Sequence, residues 1–323
     1  MNLNDKIYIA GHSGLVGSAI LRYLKKGGYT NLLKMSHQDL DLVNQEQVNY
    51  FFSKEKPDYV IIAAAKVGGI HANNSYPANF IYENIMIQTN VINAAHENNV
   101  KRLLFLGSSC IYPKLTEQPI KENKLLTGEL ESTNEPYAIA KIAGIKLCES
   151  FNRQYNTDFR SIMPTNLYGI NDNFDQMNSH VIPSLIDRFH KAKINNKSNV
   201  TVWGTGNAVR DFLYVDDMAE AAIFVLSLDE KVYRSNTQPM SSHINIGTGV
   251  GVTIREVALA IKDIVRFSGD LCFDNNMPDG TQKKITDTTR LKDMGWSHTT
   301  SLREGLENTY DWYLKSFQNN HNL

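Results

Sequence analysis

One stretch near the start of the chain decides the fold: Ile7-Tyr8-Ile9-Ala10-Gly11-His12-Ser13-Gly14-Leu15-Val16-Gly17. A short apolar run enters a turn with glycine at every third position, and the apolar residues Ala19, Ile20 and Leu24 then follow a helical period. Glycine allows the backbone to turn sharply and approach a phosphate, and a helix N-terminus favours negative charge. A plain glycine turn is the alternative, but strand, turn and helix in this order predict a dinucleotide pyrophosphate site.

The end of the next predicted strand, 31–35, bears on which dinucleotide binds. NAD sites place a carboxylate roughly 20 residues past the glycine turn, against the ribose 2′-hydroxyl. Here the strand end is Lys34-Met35-Ser36-His37, and the first carboxylate after it is Asp39. A cationic or neutral strand end suits a 2′-phosphate, so the pattern favours NADP over NAD. The alternative is that His37 is an ordinary loop residue.

Alternation of strands and helices continues to residue 165. Apolar runs at 59–65 and 102–106 indicate buried strands, and 80–98 indicates the helix between them. The alternation predicts an α/β fold with a Rossmann-type, doubly wound parallel sheet. Ligands bind at the carboxyl ends of such strands. Three stretches fall at such ends: Gly68-Gly69, Gly107-Ser108-Ser109-Cys110 and Pro164-Thr165-Asn166.

The second half of the chain predicts a smaller C-terminal α/β lobe. Residues 1–165 form the predicted cofactor-binding domain, and 207–245 return to it through a helix that begins with Asp216 or Asp217 as its N-cap. Residues 166–206 and 246–323 form the predicted substrate-binding lobe. A small molecule is expected to bind in the cleft between the two lobes.

Composition excludes several classes of protein. The 323 residues carry a net charge of −1 with 21% charged residues, which does not suggest binding to nucleic acid or to an anionic membrane. No apolar run approaches the roughly 20 residues of a membrane helix, and the chain starts without a signal segment. Three widely separated cysteines indicate a reducing cytosol, without disulfides or a zinc site.

The helix around Pro136-Tyr137-Ala138-Ile139-Ala140-Lys141 carries a tyrosine and a lysine four residues apart, on one face. A tyrosine hydroxyl titrates near pH ~10 and is a poor acid or base at neutral pH. A neighbouring ammonium favours the phenolate, so Lys141 is expected to lower the pKa of Tyr137 into the range of a proton shuttle. The alternative is that both are ordinary helix-surface residues.

With the glycine turn, the serine pair and this helix, the chain resembles the extended short-chain dehydrogenase/reductase family. Three later stretches match as well: 166–169, 210–217 and 245–247. The resemblance implies that Ser108 hydrogen-bonds the reacting carbonyl or hydroxyl, Tyr137 transfers the proton and Lys141 holds the nicotinamide ribose. It implies an NADP site formed by Gly11, His12, Ser13, Gly14, Leu15, Val16, Gly17, His37, Asp41, Leu106, Gly107, Ser108, Ser109, Lys141, Pro164, Thr165, Asn166, Leu167 and His180.

One branch of that family matches further. Nucleotide-sugar 4,6-dehydratases carry an aspartate–glutamate pair just after the strand-end hydroxyl residue, whereas this chain has Ser109-Cys110-Ile111 there. The pattern instead resembles the GDP-L-fucose synthases, through 64–70, 107–113, 134–141, 163–169, 178–183 and 202–206. This resemblance places His180 opposite Cys110.

The chemistry of that branch asks for such a pair. Epimerising carbons next to a ketone means removing a proton from one face and returning one on the other. A thiol with a pKa near ~8.5 and an imidazole near ~6.5 both titrate within reach of neutral pH. The alternatives are that Cys110 is a small buried apolar residue and His180 a loop histidine.

The same resemblance places the GDP part of a sugar nucleotide at Arg188, Trp203 and Arg210, with Asp279 at its far end. Guanidinium groups suit a diphosphate, whereas surface salt bridges and core packing are the alternatives. In one respect the chain departs from bacterial relatives, which often hold the 2′-phosphate with arginines in the glycine turn and after the second strand. Ser13 and His37 stand in those places.

The resemblance thus implies a cytosolic, homodimeric enzyme that epimerises GDP-4-keto-6-deoxy-D-mannose at C3 and C5 and reduces it at C4 with NADPH. The same or reductase-only chemistry on another keto-deoxy sugar nucleotide, such as a heptose, stays open. A third alternative is an NADP-binding regulator without turnover, because fold does not fix function.

Overall fold

A parallel six-stranded sheet forms the centre of the protein. The structure, a computed structural model, describes residues 1–175, 179–277 and 279–321. The strands are β1 (Ile7–Ala10), β2 (Leu32–Leu33), β3 (Tyr59–Ile62), β4 (Arg102–Leu106), β5 (Phe159–Pro164), β6 (Asn166–Tyr168), β7 (Asn199–Trp203), β8 (Val209–Arg210), β9 (Phe212–Tyr214), β10 (Ile244–Ile246), β11 (Val252–Thr253), β12 (Asp270–Asp274) and β13 (Lys283–Lys284). The large sheet has the order β2-β1-β3-β4-β5-β10, with every neighbouring pair parallel.

Helices cover both faces of this sheet. They are α1 (Leu15–Lys26), α2 (Gln45–Glu55), α3 (Ile70–Ser75), α4 (Pro77–Glu97), α5 (Glu135–Tyr155), α6 (Val181–Ile194), α7 (Val215–Ser227), α8 (Glu230–Ser235), α9 (Ile254–Val265), α10 (Thr289–Asp293) and α11 (Leu302–His321). Side chains of a strand alternate between faces. Ile7 and Ile9 of β1 therefore enter the core beneath α1 and α7, whereas Tyr8 and Ala10 enter the core beneath α2, α4 and α5. The predicted doubly wound sheet is confirmed.

A third apolar core lies in the C-terminal part of the chain. It joins α6, α9 and α11 to the parallel pair β7–β12 and to β9. The small sheet β11-β8-β13 and the pair β6–β9 complete this region. Leu291, Met294 and Trp296 lie in the segment predicted for the substrate lobe, yet they pack into the core beneath α1 and α7. The division of the chain into a cofactor domain and a substrate lobe stays a prediction.

Two local expectations differ from the structure. β2 spans two residues instead of five, because it is an edge strand that pairs only with β1. α7 begins at Val215 with Tyr214 as its N-cap, so the predicted aspartate N-cap is wrong. Asp216 instead pairs with Arg22 of α1 at 2.6 Å, and Asp217 accepts hydrogen bonds from the 299–300 loop. Across the described residues, no helix combines the length and apolar character needed to cross a membrane.

Candidate active site

The glycine turn brings the backbone of α1 against β1 and β3. Gly11 has a φ of +82°, and a Cβ there would lie 2.6 Å from the backbone nitrogen of Ala64. A Cβ on Gly17 would lie 2.7 Å from the carbonyl carbon of Gly11, so larger residues do not fit at either position. α1 starts after Gly14, and no side chain of the described residues caps it. The N–H groups at this helix end therefore form a cradle that fits a dinucleotide pyrophosphate.

The chain leaves β4 through the short 3-10 turn Ser109–Ile111, with Ser108 as its N-cap. The backbone N–H of Cys110 donates to Ser108 Oγ at 3.5 Å. Ser109 and Cys110 are buried, whereas Ser108 is half-buried. Of the two serines, Ser108 is thus the one whose hydroxyl is better placed to meet a ligand.

α5 places Tyr137 and Lys141 beside the end of β4. The Lys141 side chain is buried, its Nζ donates to the carbonyl oxygen of Leu106 at 2.8 Å, and it lies 5.7 Å from the centroid of the Tyr137 ring. Phe80 of α4 packs against Tyr137 edge-on, with 6.4 Å between ring centroids. The pair is therefore held between the sheet and α4.

Burial dominates the protonation of this pair. It lowers the pKa of Lys141 to about 8. Burial, reinforced by the charge of Cys110, raises the pKa of Tyr137 above its ordinary value. The expected lowering of the tyrosine pKa is therefore wrong for this structure, because removing a phenolate from water outweighs the nearby ammonium. A protonated tyrosine is the form that can donate a proton to a reduced carbonyl oxygen.

Cys110 and His180 belong to different elements of the fold, the turn after β4 and the start of α6. Cys110 lies in the buried 3-10 turn that packs against α5, and it acts electrostatically on Tyr137, Lys141 and Lys284. His180 is the N-cap of α6 and is accessible to solvent, while the surrounding protein lowers its pKa by desolvation. A neutral imidazole can accept a proton at neutral pH. That His180 faces Cys110 across a substrate stays a prediction.

Two cations lie opposite each other on neighbouring strands of the small sheet. β8 and β13 run parallel, with Arg210 opposite Lys284. Burial lowers the pKa of both side chains, and no carboxylate of the described residues lies within ion-pair distance of Lys284. Arg210 Nη2 donates to the backbone carbonyl of Asp279 at 3.5 Å. Both side chains are half-buried, and partly desolvated cations without an ion-pair partner favour an anionic ligand such as a diphosphate.

The outer part of the lobe presents an exposed indole. Trp203 of β7 is 60% exposed, and the Arg188 guanidinium lies 5.6 Å from the centroid of its ring. Asp279 accepts hydrogen bonds from the backbone nitrogen and Oγ1 of Thr205, both at 2.7 Å, and these bonds keep its pKa low. An exposed aromatic face beside a guanidinium suits a nucleobase.

The residues past β2 lie on the surface near the glycine turn. The side chain of His37 is 83% exposed, and its Nδ1 lies 3.8 Å from Oδ1 of Asp41. Lys34 is close enough to His12 that its charge, after desolvation, lowers the pKa of that imidazole. Lys34 therefore supplies positive charge near the turn, where a 2′-phosphate requires it.

Comparison with known proteins assigns the family. The NAD dependent epimerase/dehydratase family matches residues 7–247. The chain belongs to this family. It is 57% identical to GDP-L-fucose synthase of Escherichia coli (strain K12) over 97% of each chain, and 56% identical to GDP-L-fucose synthase 1 of Arabidopsis thaliana over 97% of this chain and 94% of that one. Among solved structures, it is similar to MlghC, a GDP-mannoheptose C4 reductase from Campylobacter jejuni with NADP bound. The TM-score is 0.90 and the identity 42%, over 97% of this chain and 99% of that one.

Within this epimerase/dehydratase fold, the structure brings four predicted catalytic residues to the carboxyl end of the large sheet: Ser108, Cys110, Tyr137 and Lys141. The predicted cofactor residues Thr165 and Asn166 follow β5 at the same edge. Arg188, Trp203 and Asp279 lie in segments predicted for the substrate lobe, whereas Arg210, also a predicted substrate residue, lies in 207–245, the segment predicted to return to the cofactor domain. The catalytic and binding roles of all these residues stay predictions.

Sequence reasoning missed Lys284. The residue lies on a two-residue strand, and its place beside Arg210 depends on the pairing of β13 with β8, 74 positions earlier in the chain. The available signal was weak: a lysine next to the apolar residue Ile285 in a short extended segment. Only the strand register shows that this lysine shares a face with a predicted substrate residue.

Proposed function

We propose that this protein converts GDP-4-keto-6-deoxy-D-mannose into GDP-L-fucose, by epimerisation at C3 and C5 followed by NADPH-dependent reduction at C4. The observation that carries the proposal is that Cys110 lies in the buried turn packed against α5, the helix of Tyr137 and Lys141, in a chain that resembles GDP-L-fucose synthases over nearly its whole length. A reductase needs the tyrosine and the lysine. Epimerisation needs a further acid or base beside them, and the thiol supplies one.

In the proposed epimerisation, Cys110 and His180 exchange protons at C3 and then at C5. A base on one face removes the proton next to the C4 ketone, and the C–H electrons form an enolate on O4. An acid on the other face returns a proton to carbon and restores the ketone, so no atom is gained or lost. Ser108 donates a hydrogen bond to O4 and stabilises the enolate, as a preorganised donor does in other enolate-forming sites.

In the proposed reduction, Tyr137 gives its proton to O4 while C4 accepts a hydride. Bound NADPH supplies that hydride. Lys141 holds the nicotinamide ribose and, as a neighbouring ammonium, stabilises the phenolate that Tyr137 leaves behind. The raised pKa of Tyr137 is consistent with this direction, because the residue starts as a phenol.

The remaining binding residues divide between the two ligands. The cradle at Gly11–Gly17 holds the pyrophosphate of NADPH, and Lys34 and His37 stand near its 2′-phosphate. Arg210 and Lys284 bind the diphosphate of the sugar nucleotide, and Trp203 with Arg188 receives the base. The two half-buried cations that face each other in the small sheet support this assignment.

A second candidate is a reductase that acts on a GDP-heptose without epimerising it. The fold similarity to the Campylobacter jejuni reductase favours this alternative. Sugar specificity turns on few pocket contacts, so the two candidates share their cofactor chemistry and differ only at the sugar.

The test supplies purified protein with GDP-4-keto-6-deoxy-D-mannose and NADPH in heavy water and locates deuterium in the product by NMR. The proposal expects NADPH consumption, deuterium at C3 and C5, and the fucose configuration. NADPH consumption without label would mean a plain ketoreductase. Tight NADPH binding without turnover of this or a heptose substrate would favour the regulator.

We also infer a cytosolic homodimer. The helices α4 and α5 pack side by side, with Gln88 Nε2 donating to the Ala140 carbonyl at 2.6 Å. Their outer faces expose Tyr82 and Ile139. Each helix has 21 residues and is therefore about 31 Å long, so two copies could join four helices face to face. The free thiols of all three cysteines support a reducing compartment.

A further inference from the structure

Asp211 lies between the residues that the proposed function assigns to the two ligands. It separates β8 from β9 and is fully buried. On one side stands Arg210, which faces the sugar nucleotide in the proposal. On the other side, β9 pairs with β6, which begins at the predicted cofactor residue Asn166. A single residue therefore adjoins both binding regions.

The carboxylate of Asp211 is held by four neutral donors. Its Oδ1 accepts from the backbone nitrogen of Thr248 at 3.1 Å and from Thr248 Oγ1 at 2.6 Å. Its Oδ2 accepts from the nitrogen of Gly249 at 3.3 Å and from Thr286 Oγ1 at 3.0 Å. The packing is tight, because a Cβ on Gly247 would lie 2.6 Å from Thr286 Oγ1. Only a carboxylate offers acceptors to four donors in this space.

The backbone of Asp211 connects the same point to both ligand regions. Its carbonyl oxygen accepts from Thr165 Oγ1 at 3.0 Å and from Asn166 Nδ2 at 2.8 Å. Its N–H donates to the carbonyl oxygen of Lys284 at 3.2 Å. The carboxylate thus fixes the two peptide units that flank Asp211, one bonded to the strand of Lys284 and the other to the cofactor loop.

From this geometry we infer that Asp211 is a positioning residue, which sets the Arg210–Lys284 pair for the diphosphate and the Thr165–Asn166 loop for the dinucleotide. The inference rests on the proposed function for the identity of the two ligands. Asp211 touches neither ligand in it. Replacing the carboxylate by an amide directs a donor at existing donors and displaces the two flanking peptide units. Both ligands then bind more weakly, although none of the residues that contact them has been changed.

A matched control lies six residues later. Asp217 is also a buried carboxylate, and it accepts from Thr299 Oγ1 at 3.1 Å and from the nitrogens of Thr299 and Thr300 at 3.4 and 3.1 Å. It joins α7 to a loop that carries none of the predicted ligand residues. Asp217→Asn therefore also replaces a buried, hydrogen-bonded carboxylate by an amide, with a comparable loss of stability. Its hydrogen bonds lead to neither of the proposed binding regions.

The experiment measures the binding of GDP by calorimetry and of NADPH by fluorescence, for wild type, Asp211→Asn and Asp217→Asn, below the melting temperature of each. We expect Asp211→Asn to weaken the binding of GDP at least tenfold and the binding of NADPH several-fold, because the variant loses charge-assisted hydrogen bonds. Asp217→Asn should change neither affinity more than twofold, although its melting temperature falls as well. In turnover, Asp211→Asn should raise KM for the sugar nucleotide more than it lowers kcat.

Equal ligand affinities for the two variants would overturn the inference and leave the proposed function intact. A wild-type protein that binds no GDP would overturn both. If Asp211→Asn does not fold, Thr286→Val serves as the test variant. It removes one hydrogen bond to the carboxylate and keeps the shape of the side chain. It should then weaken GDP several-fold relative to Asp217→Asn, and unchanged GDP affinity would overturn the inference.

Discussion

Cys110 and His180 divide the proposed reaction into two parts that can be measured separately. Cys110→Ser replaces a thiol by a hydroxyl that does not titrate near neutral pH, while the side chain keeps nearly the same size. We expect deuterium incorporation at the epimerised carbons to fall at least ~100-fold, the usual loss on removing a general acid or base. Binding of NADPH should be unchanged.

NMR of the sugar in heavy water gives the exchange rate, and fluorescence gives cofactor affinity. Cys272→Ser is the matched control. That thiol is exposed and lies on β12, which is not a strand of the large sheet. Undiminished exchange in Cys110→Ser would remove Cys110 from the proton transfer.

Lys141 makes the free enzyme sensitive to alkaline pH. Burial lowers its pKa to about 8, so the ammonium loses its proton in a range where an exposed lysine, near ~10.4, stays charged. We expect kcat/KM for NADPH to be full below pH 7 and to fall as the pH rises through about 8, since this parameter reports the free enzyme.

The measurement is a pH profile of kcat/KM from pH 6 to pH 10, the range that brackets the expected fall near ~8. Lys141→Arg provides the comparison, because a guanidinium stays protonated throughout this range. Its residual activity should be lower but should lack the alkaline fall. An unchanged fall in that variant would assign the titration to another group.

At the scale of single elements, the β1–turn–α1 unit depends on a glycine, Gly17, at a helical position where alanine would normally increase stability. In an exposed helix interior, Gly→Ala stabilises by roughly 1 kcal/mol. At Gly17 the added Cβ would collide with the backbone of Gly11, so Gly17→Ala should instead lower the melting temperature by several degrees. It should also weaken NADPH at least tenfold, because α1 must move away from the turn.

Calorimetric melting and NADPH titration test this expectation. Gly27→Ala is the control, since Gly27 ends the same helix with a φ of −76° and its nearest non-neighbouring atom would lie 3.4 Å from a new Cβ. That variant should bind NADPH as the wild type does. Normal NADPH affinity in Gly17→Ala would mean that the cradle is not the pyrophosphate site.

The elements that sequence patterns predicted are those whose signal is local. The glycine turn, the alternating strands and the Tyr137–Lys141 spacing each lie within one contiguous stretch. The patterns failed where partners come from afar: Asp217 meets Thr299 rather than capping α7, and the position of Lys284 follows from the β8–β13 register. The prediction of a lowered pKa for Tyr137 was wrong for a related reason, because burial is a property of the assembled site.

At the scale of the whole molecule, the proposed dimer is tested through the outer face of α4 and α5. Ala143 is exposed on α5, one turn beyond Ile139, and offers a small contact on that face. Ala143→Arg would bury a long charged side chain against the second copy. Removing the guanidinium from water disfavours association of the two copies. In the monomer the arginine points to water, so the substitution changes the free energy of unfolding little.

Light scattering coupled to size-exclusion chromatography should therefore give twice the chain mass for the wild type and the mass of one chain for Ala143→Arg, at micromolar concentration. Leu259→Arg is the control, because Leu259 is an exposed apolar residue on α9, in the C-terminal core region rather than on this helix pair. It should remain dimeric. Monomeric wild type would refute the dimer, and a dimeric Ala143→Arg would place the interface elsewhere on the molecule. Because α5 also carries Tyr137 and Lys141, loss of the dimer is expected to lower kcat while the monomer still binds NADPH through the separate cradle at α1.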